Sequence, residues 1–74
     1  MPKLYSSREV VQVLQKKGFV YISQKGSHAK FRKERGPTLT VIVPANRKEI
    51  PYGTFRSILR QVNLSEEEFA KALK

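Results

Sequence analysis

Lys25-Gly26-Ser27-His28, followed by Ala29-Lys30-Phe31-Arg32, is the stretch of this 74-residue chain whose side chains could do chemistry. His28 is the only histidine and cysteine is absent, so its imidazole is the one side chain whose ordinary pKa lies near neutral pH. Cleaving RNA without a metal takes a base for the 2′-hydroxyl proton, cations for the phosphate, and an acid for the leaving 5′-oxygen. A histidine can be that base. Lys25, Lys30 and Arg32 can hold the phosphate and the charge that builds on it in the transition state. Gly26 lets backbone approach a ligand closely, and Ser27 can donate its hydroxyl to a phosphate oxygen. The same residues also describe a hairpin with a polar tip, and from spacing alone that plain hairpin is the commoner explanation. A metal centre at His28 is disfavoured, because no second histidine and no cysteine exists to join it.

The elements that must position these residues can be read from period and punctuation. Ser6-Ser7-Arg8-Glu9 starts a helix, with Ser6 as N-cap and Glu9 completing a capping box. Val10, Val11 and Leu14 form its apolar stripe, and Gly18 supplies its left-handed stop. Phe19 to Gln24 is rich in aromatic and β-branched residues and reads as a strand, Lys25-Gly26-Ser27 as a turn, and His28 to Glu34 as a second strand. Successive strand side chains point to opposite faces, which puts Ala29 and Phe31 on one face and His28, Lys30 and Arg32 on the other. Glu34 to Pro37 is a turn and Thr38 to Val43 a third strand, so the three form an antiparallel meander. After a polar connection from Pro44 to Pro51, a second helix runs from Tyr52 or Gly53 to Val62, with Phe55, Ile58, Leu59 and Val62 on one face. Ser65 and Glu68 cap a short last helix that packs through Phe69 and Leu73. The fold class is α+β, with both long helices on one face of the sheet and the other face left to solvent.

Lys+Arg 15 against Asp+Glu 6 gives a net charge of +9, a potential that attracts polyanions. Nucleic acid is the first candidate partner and an acidic protein the second. An anionic membrane ranks third, because no helix pairs a wide apolar face with a continuous lysine face. No apolar run is long enough to span a bilayer and no signal-peptide core follows Met1. The lack of cysteine fits a reducing cytoplasm. Length and the lack of a linker predict one domain over residues 1–74.

Two further groups carry a functional and a plain explanation each. Arg56 and Arg60, with Arg47 and Lys48, can form a phosphate-contacting strip, helped by the N–H groups that open the second helix near Gly53-Thr54. They can equally be a solvated basic surface. Tyr21 can stack on an unpaired base if it lies on the open face, and packs in the sheet otherwise. Glu66-Glu67-Glu68 is helix capping and solvated surface.

Gly18-Phe19, then Gln24-Lys25-Gly26-Ser27-His28 with Phe31, then Val43-Pro44, Gly53-Thr54-Phe55-Arg56-Ser57-Ile58-Leu59 and Asn63-Leu64-Ser65-Glu66-Glu67-Glu68-Phe69 resemble the HicA family of toxin mRNA interferases over nearly the whole chain. The resemblance implies a fold like that of double-stranded-RNA-binding domains, agreeing with the element order above. It also implies an endoribonuclease toxin of a type II toxin–antitoxin pair that cleaves mRNA without a cofactor. Its partner would be a HicB-type antitoxin covering the active site, around a toxin that is monomeric within a hetero-oligomeric complex. The family's catalytic histidine falls on His28, with Gly26 and Ser27 as motif neighbours. Many relatives have a basic residue where this chain has Ser23, and a second histidine near Asn46-Arg47. A two-histidine acid–base pair is therefore excluded here, which leaves Lys25, Lys30 or water as the acid. The alternative from another class is a small RNA-binding module without catalysis.

Overall fold

The computed structural model describes residues 3–74. Its order is α1 (Ser7–Lys16), β1 (Val20–Lys25), β2 (His28–Lys33), β3 (Leu39–Pro44), α2 (Tyr52–Val62) and α3 (Glu66–Leu73). The fold is α+β, as the sequence predicts. The strands form one antiparallel sheet in the order β1-β2-β3. By sequence, Met1 to Tyr5 ahead of the first helix reads as either a first strand stub or an ordered tail. Residues 1 and 2 lie outside the described residues, and Tyr5 lies outside any regular element, its carbonyl accepting from the Ile50 N–H at 2.8 Å.

Both capping boxes form. Ser6 Oγ accepts from the Glu9 N–H at 3.1 Å while Glu9 returns a carboxylate oxygen to the Ser6 N–H at 2.9 Å. Ser65 and Glu68 repeat this at 3.0 and 2.9 Å. Each box satisfies two N–H groups that the first turn of a helix leaves free. Gly18 takes φ +94° after α1, and Asn63 takes the left-handed conformation after α2.

The core lies between the sheet and the helices. Ala29 and Phe31 of β2, and Val41 and Val43 of β3, are buried against Val10, Val13 and Leu14 of α1 and Phe55, Ile58 and Leu59 of α2. α1 packs on β3 and α3, and α2 packs on β3. β1 is left uncovered, with all six of its residues exposed. α3 docks through Phe69, whose ring lies 4.9 Å from Phe55 and 4.8 Å from Tyr5, centroid to centroid.

One feature of the sheet is absent from the sequence pattern. The register runs Val20–Arg32 and Tyr21–Phe31, skips Ile22, and resumes at Ser23–Lys30, Gln24–Ala29 and Lys25–His28. Such a bulge inserts one unpaired residue and reverses which face the following residues present. Tyr21 thus shares the helix side with Phe31, and Gln24 with Ala29. Ser23 and Lys25 return to the open face, beside Lys30 and His28. Strict alternation from Tyr21 would have sent Lys25 to the other side of the sheet. The turn is also tighter than expected: Lys25 belongs to β1 and only Gly26 and Ser27 lie outside the ladder. Gly26 has φ +59°, the conformation that the first central residue of a type II′ hairpin turn requires.

Candidate functional site

His28 opens β2 at the hairpin end of the sheet and is flanked by Lys25 on β1 and Pro44 on β3. One pleat further on, Lys30 lies between Ser23 and Ile42, and beyond it Arg32 lies between Val20 and Thr40. The cationic row inferred from the alternation of β2 therefore exists, on the face that the helices leave open. His28 is exposed and Lys30 half-buried. Arg32 is half-buried too, and its Nε is buried without a hydrogen-bond partner.

Two recesses meet at the imidazole. One, of about 440 Å³, is lined by Ser23, Lys25, His28, Lys30 and Ile42 on the open face. The other, of about 280 Å³, lies around the end of the sheet, where Ser27 and His28 face Pro44, Ala45, Arg47, Pro51 and Thr54. Arg47 was grouped by sequence with Arg56 and Arg60, but the structure brings it to His28 instead. The meander explains this, because the end of β3 lies beside the start of β2, and whatever follows Pro44 comes to the histidine. Thr54 belongs to the first turn of α2, and Pro51, the N-cap residue before that helix, makes no side-chain cap. The free N–H groups and positive dipole end of that helix thus open at the wall of the recess that holds His28, an arrangement that suits an anion.

The 44–47 segment is held in place by Ser7, a buried polar residue at the start of α1, 7% exposed. Its hydroxyl donates to the Pro44 carbonyl at 2.6 Å and accepts from the Arg47 N–H at 3.0 Å. The Ser7 N–H in turn donates to the Arg47 carbonyl at 3.0 Å. On the turn itself, the Ser27 carbonyl accepts from the Ala45 N–H at 2.7 Å. The start of α1, the end of β3 and the Gly26-Ser27 turn are therefore tied together around the histidine. Sequence reasoning passed over Ser7, because a serine beside an N-cap serine carries no signal of a bond made 40 residues away.

Arg56 and Arg60 are not brought to His28. They line a separate recess with Leu59, Leu64, Ser65 and Glu66. There Arg56 is paired with Glu66, which also accepts from the Tyr52 hydroxyl at 2.7 Å. The Tyr52 hydroxyl, and after it the Arg56 guanidinium, hold the Glu66 carboxyl below the usual carboxylate range. Glu66 is thus a clamp between α2 and α3 as well as part of a solvated acidic turn.

Tyr21 is on the helix side of the sheet, edge-on to Phe31 at 5.9 Å, yet 55% exposed because no helix covers β1. Among the described residues, no group of three or more His, Cys, Asp or Glu side chains could hold a metal ion, and no helix is long and apolar enough to cross a membrane.

Comparison with known protein families decides what kind of chain this is. Residues 7–64 match the family described as the HicA toxin of bacterial toxin–antitoxin systems. The chain belongs to the HicA toxin family. No curated protein matches it. The HicA match takes in the Gly26-Ser27-His28 turn, Ser7, Arg47 and the whole of α2, so the histidine and both recesses around it lie within the family's own span. Membership of a toxin–antitoxin family implies an antitoxin partner.

Proposed function

We propose that this HicA toxin is an endoribonuclease that cleaves mRNA without a metal ion, with His28 as general base. The observation that carries this reading is the position of the one imidazole, between two recesses lined by Lys25 and Lys30 on one side and Arg47 on the other. His28 takes the proton from the ribose 2′-hydroxyl. The 2′-oxygen attacks phosphorus, the bond from phosphorus to the 5′-oxygen breaks, and the products are a 2′,3′-cyclic phosphate and a 5′-hydroxyl. Lys25, Lys30 and Arg32 line the approach of the phosphate backbone, and Arg47 with the start of α2 receives the non-bridging oxygens as charge grows on them. Gly26 and Ser27 form the turn that presents the imidazole. The proton for the leaving oxygen comes from Lys25, Lys30 or water, all of which the open recess admits. Arg56 is engaged by Glu66. Arg60, exposed on α2, remains as a distal contact for a longer RNA.

The antitoxin, of HicB type, acts by covering the open face. An exposed sheet bearing Lys25, Lys30, Arg32 and the apolar Val20 and Ile42 suits an acidic partner that buries the imidazole. The toxin works in the cytoplasm as a monomer released from that hetero-oligomeric complex. Purified protein in EDTA, incubated with an unstructured RNA, is expected to cleave it, and the His28→Ala protein to bind the same RNA without cutting. RNA binding by both proteins with cleavage by neither would leave a non-catalytic RNA-binding module.

A further inference from the structure

A third recess is larger than either of those at His28. It is a groove of about 790 Å³ between α1 and β1, within the roughly 300–1,000 Å³ range of small-ligand sites. It exists because α1 packs on β3 and α3 and leaves β1 uncovered. Its floor is apolar, with Phe31, Ala29 and Val43 below and the ring of Tyr21 along one side. Its rim carries amides and cations: Gln12 and Gln15 from α1, Gln24 from β1, and Arg8, Arg47 and Lys48 around the end. No acidic residue lines it.

We propose that this groove is a nucleobase subsite, which takes an unpaired base next to the scissile phosphate. The inference rests on the ribonuclease reading of His28 and deepens it. Continuity is the first argument. Pro44, Ala45 and Arg47 line both this groove and the recess at His28, so a strand whose phosphate sits at Arg47 has its neighbouring nucleotide at the groove mouth. Chemistry is the second. A half-exposed tyrosine ring beside an apolar floor offers a stacking surface, the carboxamides of Gln12, Gln15 and Asn46 can both donate to and accept from a base edge, and the cations suit the backbone. Access is the third, because a groove of this kind admits a base that has left its stack, whereas the bases of a duplex stay within it. The bulge at Ile22 serves both sites, turning Lys25 to the imidazole and leaving Tyr21 in the groove.

The test separates this inference from the catalytic one by measuring binding on His28→Ala protein, where cleavage plays no part. A short single-stranded RNA is titrated, then the same strand fully paired in a duplex, and then both against the additional Tyr21→Ala change. The single strand is expected to bind more tightly than the duplex, and Tyr21→Ala to weaken it by on the order of tenfold. Tyr21→Phe keeps the ring and should restore binding. In the protein that retains His28, Gln12→Ala with Gln15→Ala should flatten any base preference beside the cut. Unchanged single-strand affinity in a folded Tyr21→Ala protein would overturn the proposal even if the wild type cleaves RNA. So would a Tyr21→Ala change that releases an acidic protein partner while RNA binding stays intact, since the groove would then be a protein-docking surface. Failure of the wild type to cleave, with the Tyr21 dependence of binding intact, would count against the catalytic reading alone.

Discussion

Ser7 makes a demand that can be measured on a single hydroxyl. Its Oγ satisfies the Pro44 carbonyl and the Arg47 N–H in a buried position, and removing it leaves both without that partner. Ser7→Ala should therefore destabilise the protein by about 1–3 kcal/mol, read as a fall in the urea midpoint, and should lower cleavage through displacement of Arg47. Ser6→Ala, which removes a cap and touches neither group, should lose about 1 kcal/mol and keep the arrangement at His28. Equal loss of activity in the two variants would contradict a positioning role for Ser7. His28, Lys30 and Arg32 were legible in the sequence because alternation along a strand fixes which residues share a face. Ser7 was not, since its partners are remote in the chain, and Arg47 was placed with the wrong cations because its neighbours along the chain are not its neighbours in space.

At the scale of elements, the expected order of helix, three strands and two helices is the observed one, with shifts of a residue or so at strand ends. Caps made the helices readable: Ser6 with Glu9 and Ser65 with Glu68 are local pairs that form as their spacing implies. The bulge at Ile22 was not readable, because one residue that drops out of a ladder leaves no mark in the composition. The docking of α3 through Phe69 was readable as an apolar position on that helix, but its ring partners Phe55 and Tyr5, distant in the chain, were not. Phe69→Ala should remove about 3–5 kcal/mol, a large share of the roughly 5–15 kcal/mol typical of a whole domain, again measured by urea unfolding. The Glu66 clamp predicts a pH dependence. Its carboxyl is held below its unfolded pKa by Tyr52 and Arg56, so its contribution is present above the ordinary carboxylate range and is lost as pH falls through the lower folded value. Thermal melts from neutral to acid pH should show a drop that is shallower in Glu66→Gln. Parallel curves for the two proteins would show that the clamp does not contribute.

The whole molecule is a cationic sheet backed by helices, with +9 spread over 74 residues. If Lys25, Lys30, Arg32 and Arg47 each meet a phosphate, the affinity of His28→Ala protein for single-stranded RNA should fall with salt at a log–log slope of roughly −3. Lys30→Ala should make that slope shallower by about 0.7, and a slope near zero would remove the backbone from the account. The chemistry at His28 turns on one proton. The most direct measurement is the chemical nature of the cut ends, obtained with purified protein and RNA in the presence of EDTA. A 2′,3′-cyclic phosphate and a 5′-hydroxyl, formed by the wild type and absent with His28→Ala, are the result predicted for an imidazole that activates the 2′-hydroxyl. Cleavage that persists in His28→Ala, or that leaves a 5′-phosphate, would contradict it.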